Sequence, residues 1–349
     1  MARTEVPRKP LELLTQGYQH FRVLATALEF RLFTLLPSKG ATIPEIARLL
    51  GLKERPARIL VNAVAVLALI EKRGNRFRNT RLAATYLVEG HPQFYGDFIR
   101  MMDRRLYHAY ENLGWALREE KPVTADPAVG DVFRTMARDP EMTRLFTMGM
   151  DAAGRYWAEC LARSVDLSRT RLLLDVGGGS GVYSIALAKR FRKLRAIIFD
   201  LPEVLPVTRE RIRAAGLEDR VETTGGDFFA DPWPSDADAV LFSAVLHDWS
   251  LDTCRRLLRR AAGVLPAGGI VVIRESLSEN DGPGPLYAAM SNVTMLLETE
   301  GENYPWKSYE SWLREAGFGG FRRIPFRTTA ASGALVARKL RAAGGATTH

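Results

Sequence analysis

The pattern of apolar and polar positions divides the chain into a helical first half and a second half in which strands and helices alternate. After residue 164, short apolar runs typical of buried strands are separated by amphipathic stretches typical of helices. This alternation predicts a doubly wound α/β sheet of parallel strands, with helices on both faces and the ligand at the carboxyl ends of the strands. The predicted strands are residues 171–176, 196–199, 239–245, 269–273, 321–325 and 333–337.

The first half is predicted to begin with a winged-helix-like domain. Apolar positions recur at helical spacing from residue 11 to about residue 36, and a helix, a glycine-containing turn, a second helix and a basic hairpin around Gly74 and Asn75 follow. The second of these two helices contains the run ILVNAVAVLALI, whereas a DNA-reading helix presents polar side chains to the major groove. We therefore expect this helix to be buried against a partner subunit. The residues expected at that interface are Leu60, Val64 and Leu67.

Aromatic residues and methionines are concentrated between residues 93 and 162. Their spacing is typical of a helix-packing core. A second interpretation is that some of them roof a pocket for a flat aromatic ligand, since methionine adapts to irregular shapes and aromatic faces stack. The residues concerned are Phe94, Tyr95, Met101, Met102, Tyr107, Tyr110, Trp115, Phe146, Met148, Met150, Tyr156 and Trp157.

Composition narrows the class of protein. The chain of 349 residues is long enough for two globular units. Its two cysteines, Cys160 and Cys254, lie far apart without CxxC spacing, which favours neither a disulfide framework nor a thiolate zinc site and indicates a cytoplasmic protein. The amino terminus lacks the apolar core of a signal peptide, and the apolar run 59–70 is too short to cross a bilayer. The net charge of +9 has two explanations, a phosphate-binding surface or an arginine-rich bias of the source genome.

A glycine-rich turn follows the first predicted strand of the second half. In LLLDVGGGSGVYSIALAKRF, Gly177, Gly179 and Gly181 leave room for a ligand against bare backbone, although a plain tight turn is the alternative. The spacing is not the dinucleotide fingerprint, because Val182 stands where that pattern needs a small residue. Asp200 ends the next strand, where its carboxylate can accept hydrogen bonds from both hydroxyls of a ribose.

A third feature lies at the end of a further strand, in the run GGDFFADPWP. The Asp227 carboxylate can accept a hydrogen bond from an exocyclic amine while Phe228 packs on a purine ring. The alternative is that Asp227 caps a helix or forms a turn. Because the three features follow in order and each lies at a strand end, they predict a nucleoside site at one edge of the sheet.

The whole series of motifs points to one family. LLLDVGGGSG, FDLPEVL, GGDFF, VLHDW, AGGIVVIRESL and WLREAGF, behind a winged-helix-like domain, resemble the S-adenosylmethionine-dependent O-methyltransferases of the plant phenolic and bacterial polyketide type. This resemblance implies a seven-stranded Rossmann-like class I methyltransferase domain, preceded by an all-helical winged-helix-like dimerisation domain. It also implies a homodimer that acts on an aromatic small molecule, with neither nucleic acid nor membrane as a partner. The implied boundaries are 1–92 for dimerisation, 93–163 for a helical linker and pocket roof, 164–340 for the methyltransferase domain and 341–349 for a tail.

The resemblance also implies which residues bind the cofactor, S-adenosyl-L-methionine. Gly177 would lie under the methionine part and Asp200 on the ribose. Asp227 and Phe228 would meet the adenine, and Ser243 would lie near the amino acid end. Many plant members have lysine at the Ser243 position, so this chain departs from their pattern there.

His247, in the run VLHDW, is the residue expected to carry the chemistry. Methyl transfer from a sulfonium requires an aligned acceptor and, for a phenol, removal of its proton, for which an imidazole is a natural base. His247 follows a predicted strand at the same edge of the sheet as Gly177, and the resemblance makes it the general base; a structural histidine is the alternative. Asp248 is expected to be solvated or to cap the helix over 252–264. No metal is expected, since adjacent His and Asp side chains do not easily face one ion.

Two further residues are expected to support the base. Glu275 matches the first of two family acids that flank the histidine, and a carboxylate there would fix the imidazole tautomer. Asn303 stands where many relatives have glutamate, and its amide can orient His247 or the substrate without carrying charge. This departure leaves three alternatives open: a carbon or nitrogen acceptor, a cofactor-binding homologue that transfers no methyl group, and a DNA-binding regulator.

Overall fold

The structure is a computed structural model that describes residues 8–278, 282–326 and 332–341. The chain divides into two units, Met1–Arg105 and Leu106–His349. Across the described ranges, none of the helices combines the length and the apolar character needed to span a membrane.

The first unit combines helices with a short hairpin. Thr42 begins the third helix because its backbone N–H and hydroxyl both donate to the Glu45 carboxylate in a capping box. The hairpin expected at Gly74 is present, and Arg73 pairs with Arg76 across it. The elements are α1 (Lys9–Glu29), α2 (Leu32–Leu35), α3 (Ile43–Leu50), α4 (Glu54–Val66), β1 (Ile70–Arg73), β2 (Arg76–Asn79), α5 (Arg81–Tyr86) and α6 (Gly96–Met101).

The apolar face of α4 is buried inside the first unit. Val61 and Val64 are fully buried in a core that also contains Leu28 and Phe33. The prediction that Val64 lies at a subunit interface is therefore wrong, because this side chain has no surface left for a partner. A run of exposed large apolar side chains lies instead on α1: Leu11, Leu13, Leu14 and Tyr18.

The second unit begins with helices and continues as alternating strands and helices. A π-helical turn (Met102–Leu106) crosses the boundary between the two units along the chain. The helical part of the second unit then contains α7 (Tyr107–Ala109), a 3₁₀ turn (Tyr110–Asn112), α8 (Leu113–Glu119), α9 (Val132–Ala137) and α10 (Pro140–Ser164). The alternating part contains β3 (Leu172–Val176), α11 (Val182–Arg190), β4 (Arg195–Asp200), α12 (Leu205–Ala215), β5 (Val221–Gly225), β6 (Ala239–Ser243), a 3₁₀ turn (Leu246–Asp248), α13 (Leu251–Val264), β7 (Ile270–Ser276), α14 (Leu286–Glu298), α15 (Trp306–Glu315), β8 (Phe318–Pro325) and β9 (Ser332–Lys339).

The seven strands from β3 to β9 form one sheet in the order β5-β4-β3-β6-β7-β9-β8. Alternate residues of β3 enter two cores on opposite faces: Leu174 packs with Leu257 of α13, and Leu173 packs with Leu187 of α11. This confirms the predicted doubly wound architecture. The expectation of parallel strands fails at β9, which is antiparallel to β7 and β8. Only six residues separate β8 from β9 along the chain, which is too few for the helical crossover that a parallel pair requires.

The register of the sheet places the site residues side by side. Val176 pairs with Phe199 on one side and Phe242 on the other, and Ser243 pairs with Arg274. Four neighbouring strands therefore end or turn at one edge, which we call the carboxyl edge. Its residues, in strand order, are Asp200, Gly177, Ser243 and Arg274.

Candidate active site

The glycine turn after β3 brings backbone close to other parts of the site. Gly177 and Gly179 have φ values of 67° and 56°, in the left-handed region that favours glycine. A Cβ atom on Gly177 would lie 3.0 Å from Val245 Cγ2 and 3.5 Å from Phe228 Cε1. A side chain at Gly177 would therefore narrow the space between the turn and Phe228.

A second carboxylate lies beneath this turn. Asp175 is fully buried in β3, and the Ser184 hydroxyl donates to its Oδ2 at 2.6 Å. Burial raises the pKa of Asp175 to about 7. A Cβ on Gly178 would lie 2.8 Å from the Asp175 carboxyl carbon, so the turn packs directly against this carboxyl group and has no room for a side chain at Gly178.

Asp200 is held at the end of β4 by two backbone groups. Gly179 N–H donates to Oδ2 and Leu201 N–H donates to Oδ1, each at 2.7 Å. Burial raises the pKa of Asp200 to about 6, so the carboxylate is ionised at neutral pH. Each oxygen keeps a second lone pair, and the pair of oxygens can accept from two neighbouring hydroxyls.

Asp227 forms a turn, as one of its two sequence interpretations predicts. Its Oδ1 accepts from Phe229 N–H at 2.8 Å, and its Oδ2 pairs with the guanidinium of Arg134 on α9. An amine donor at this carboxylate would share Oδ2 with Arg134 or displace it. Phe228 packs edge-on against Trp249, with ring centroids 6.0 Å apart, so one side of the site is aromatic.

Ser243 ends β6 as a buried side chain. Its Oγ completes no hydrogen bond of regular geometry with the described residues, although the Tyr183 hydroxyl of α11 approaches it. This leaves a buried hydroxyl available for a ligand at the carboxyl edge.

His247 and Glu275 form the central pair of the site. His247 lies in the 3₁₀ turn after β6, and its Nδ1 is 2.5 Å from Glu275 Oε2. The other oxygen, Oε1, accepts from Val245 N–H at 3.1 Å and from Leu246 N–H at 3.0 Å. Because Glu275 is fixed by the backbone that carries His247, the neutral imidazole keeps its proton on Nδ1, which leaves Nε2 as the nitrogen that can act as a base.

Asp248 is closer to the base than the sequence predicted. It is buried rather than solvated, and its Oδ1 lies 3.5 Å from His247 Nε2. Ser250, and not Asp248, precedes the helix α13. Burial lowers the pKa of His247, but the Glu275 and Asp248 carboxylates raise it to about 9 overall.

Asn303 makes no hydrogen bond to His247 within the described part of the chain. Its side-chain Nδ2 and its backbone N–H both donate to Asn292 Oδ1 on α14, each at 2.7 Å. Its own Oδ1 is buried and accepts no hydrogen bond from the described residues. The expectation that Asn303 orients the imidazole directly therefore fails, because the amide pairs with Asn292 instead.

Sequence reasoning missed three residues of the site. Arg134 was missed because nothing in the sequence links α9 to Asp227, and Asn292 because α14 carries no recognisable motif. Arg274 left a signal, since it is a charged residue inside the buried run GIVVIRES. Among the described residues, no group of three or more His, Cys, Asp and Glu side chains is placed to hold a metal ion.

Comparison with known proteins identifies the family to which this chain belongs. The family described as O-methyltransferase domain matches residues 110–319, and the O-methyltransferase dimerisation domain matches residues 12–89. The chain is 39% identical over 328 residues to 3-hydroxy-5-methyl-1-naphthoate 3-O-methyltransferase of Streptomyces sahachiroi, covering 93% of this chain and 94% of that relative. It is 33% identical over 311 residues to the N,N-dimethyltransferase OxyT of Streptomyces rimosus, covering 87% and 89%.

A solved structure is similar over the same length. Human N-acetylserotonin methyltransferase in complex with SAM has a TM-score of 0.89 and 27% sequence identity, covering 98% of this chain and 100% of that chain. The carboxyl edge fits such a cofactor, because it offers a narrow glycine turn, an ionised carboxylate with free lone pairs at Asp200 and an available hydroxyl at Ser243.

Proposed function

Because the chain belongs to the O-methyltransferase family, whose members are S-adenosylmethionine-dependent enzymes, we propose that it methylates a hydroxyl of an aromatic or polyketide-type small molecule with His247 as general base. The observation that carries this proposal is the contact between His247 Nδ1 and Glu275 Oε2. A carboxylate fixed in this way orients the imidazole and stabilises its cation.

The cofactor-binding residues are proposed from the carboxyl edge. Asp200 accepts from the ribose hydroxyls, Asp227 and Phe228 meet the adenine, Gly177 lies under the methionine part and Ser243 meets its amino acid end. When bound, S-adenosyl-L-methionine supplies a methyl group on a positively charged sulfur.

His247 Nε2 then accepts the proton of the acceptor hydroxyl. The bound cofactor would supply its methyl group to the acceptor oxygen and would leave as S-adenosylhomocysteine, while His247 would hold the released proton as an imidazolium. The pKa of about 9 at His247 is close to that of a phenol, about 10, so the proton transfer is nearly balanced. Glu275 keeps the ring in place, while Asn303, held by Asn292, orients the substrate.

The relatives support the proposed acceptor class. The relative from Streptomyces sahachiroi is named as a 3-O-methyltransferase of a hydroxynaphthoate, so its acceptor is a hydroxyl on an aromatic ring system. OxyT is named for a nitrogen acceptor, so the acceptor atom must be determined directly.

We also propose a homodimer. The dimerisation-domain match over 12–89 includes most of α1, and the apolar side chains exposed on α1 are the surface through which a second copy would bind.

His247→Ala tests the proposed base. With hydroxylated naphthalenes and naphthoates as acceptors, turnover should fall by about 10²–10⁴-fold, the usual worth of a general base. The affinity for S-adenosylhomocysteine, measured by calorimetry, should stay within about threefold, because the proposed cofactor contacts involve other side chains. Mass spectrometry and NMR of the product would identify the methylated atom.

His108→Ala is the matched control, because His108 is an exposed histidine of the same unit. It should leave both quantities unchanged. Turnover of His247→Ala within a few fold of the wild type, or a product methylated on carbon or nitrogen, would contradict the proposal.

A further inference from the structure

A buried arginine, for which the described residues supply no carboxylate partner, lies beside the proposed cofactor site. Arg274 of β7 is only 5% exposed. Its guanidinium carbon lies 5.2 Å from the centre of the Trp157 ring and 5.6 Å from that of Tyr183, so two aromatic rings pack on the cation. A guanidinium donates hydrogen bonds from its edges, and these rings do not satisfy the N–H groups.

The edges of this guanidinium are incompletely satisfied. Its Nη2 donates to Ser332 Oγ at 2.9 Å, but Nε has no acceptor among the described residues. The nearest acid along the chain is Glu275, whose two oxygens are occupied by backbone N–H groups and by His247. A buried cation that no described anion pairs with is unfavourable, so this position favours an anion supplied by a ligand.

The position of Arg274 indicates which anion this is. Asp200, Gly177, Ser243 and Arg274 lie in this order on adjacent strands, which are about 4.8 Å apart in a sheet. Adenosine bound at Asp200 directs the rest of the cofactor across Gly177 toward Ser243. Arg274 is one strand further in the same direction, and its register partner Ser243 points to the same face of the sheet.

We infer that Arg274 binds the carboxylate of the amino acid part of the cofactor, together with the Ser243 hydroxyl. A planar guanidinium matches a carboxylate with two parallel hydrogen bonds, and Nε is the donor that this arrangement would use. Ser332 holds the guanidinium in place, because its hydroxyl donates to the Glu275 carbonyl at 3.1 Å and therefore accepts from Arg274. The inference rests on the cofactor placement proposed above.

The test compares two ligands in calorimetry: S-adenosylhomocysteine and its decarboxylated analogue, which keeps the amine. Arg274→Gln should lower the affinity for S-adenosylhomocysteine by about 10- to 100-fold, which is the range for loss of charge-assisted hydrogen bonds to a carboxylate. The same variant should bind the decarboxylated analogue within about threefold of the wild type. Arg274→Lys keeps the charge but loses the two parallel hydrogen bonds of a guanidinium, so its affinity for S-adenosylhomocysteine should lie between those of the wild type and Arg274→Gln. Arg274→Lys takes the place of Arg274→Gln if the Gln variant does not fold.

Two controls separate the possible failures. Arg220→Gln removes a partly buried arginine that donates to the Ala188 carbonyl, and it should bind both ligands like the wild type. Asp200→Ala should weaken both ligands equally. If Asp200→Ala weakens the binding of both ligands and Arg274→Gln weakens the binding of neither, the inference about Arg274 is wrong and the cofactor placement stands. If Asp200→Ala leaves the binding of both ligands unchanged, the cofactor placement itself is wrong. An Arg274→Gln effect confined to the KM of acceptors that carry a carboxylate would assign Arg274 to the acceptor and overturn the inference.

Discussion

The substitution Glu275→Gln keeps the His247 imidazole but changes how it is held, so it tests whether the orientation and tautomer of the base matter for turnover. In the wild type, Oε1 of Glu275 accepts from two backbone N–H groups and Oε2 faces His247 Nδ1. A glutamine keeps the shape, and its amide oxygen can retain both backbone hydrogen bonds. Its NH₂ group must then face Nδ1, which has to become the acceptor. The neutral imidazole therefore carries its proton on Nε2, the nitrogen that is needed as the base.

The magnitude follows from these contacts. Turnover should fall by about 10²–10⁴-fold, because the wrong tautomer removes general-base assistance even though the ring is present. The free energy of unfolding should fall by about 1–3 kcal/mol, since one charge-assisted hydrogen bond is lost from a fully buried carboxylate. The pKa of His247 should fall as well, because the larger of the two carboxylate effects that raise it disappears.

The assay combines turnover, chemical unfolding and ¹⁵N NMR of the imidazole. The NMR spectrum should show the proton on Nδ1 in the wild type above pH 9 and on Nε2 in the variant. Glu310→Gln is the matched control, because Glu310 is also buried and accepts from Arg323 Nε at 2.6 Å. It should lose stability without a comparable loss of turnover. Wild-type turnover in Glu275→Gln, or an unchanged tautomer, would refute the reasoning.

Two further predictions concern pH and assembly. Turnover of a phenol should rise from pH 7 to about pH 9. The contribution of His247 to stability is complete below pH 6.5 and should be lost as pH rises through 9, because the folded state holds a proton that the unfolded state releases. Initial rates and urea unfolding across this range check the two trends, and both trends should disappear in His247→Ala. Leu14 is 77% exposed on α1, so Leu14→Asp should convert the dimer to a monomer in light scattering, whereas Leu251→Asp on α13 should leave the dimer intact. A wild-type monomer at micromolar concentration would contradict the proposed dimer.

Much of the catalytic unit could be predicted because its strands are buried and its motifs lie at their ends. The apolar runs of β3, β4, β6 and β7 were visible, and the parallel arrangement brings their ends together. The orientation of β9 could not be read from the same pattern, since an apolar run reports burial but not direction.

The predictions that proved wrong have a common physical origin. Val64 was expected at a subunit interface, but periodicity shows only that a face is buried and not what buries it. Asn303 was expected at His247, but the sequence gives no sign that Asn292 lies within hydrogen-bonding distance. The pKa of His247 depends on the proximity of Glu275 and Asp248, and the first of these is 28 residues away in the chain.

The placement of β9 has a consequence for the synthesis of the protein. β9 covers the edge of β7 from Ile270 to Ser276, yet its first residue, Ser332, follows Ser276 by 332 − 276 = 56 residues. At about 5–20 residues per second, the ribosome needs roughly 3–11 s to make that length of chain. During this interval β7 is an uncovered apolar strand edge, which is a template for association with other chains. Arg274 also lacks Ser332 until β9 docks, so the anion site that we infer at the carboxyl edge cannot be complete before β9 has been synthesised.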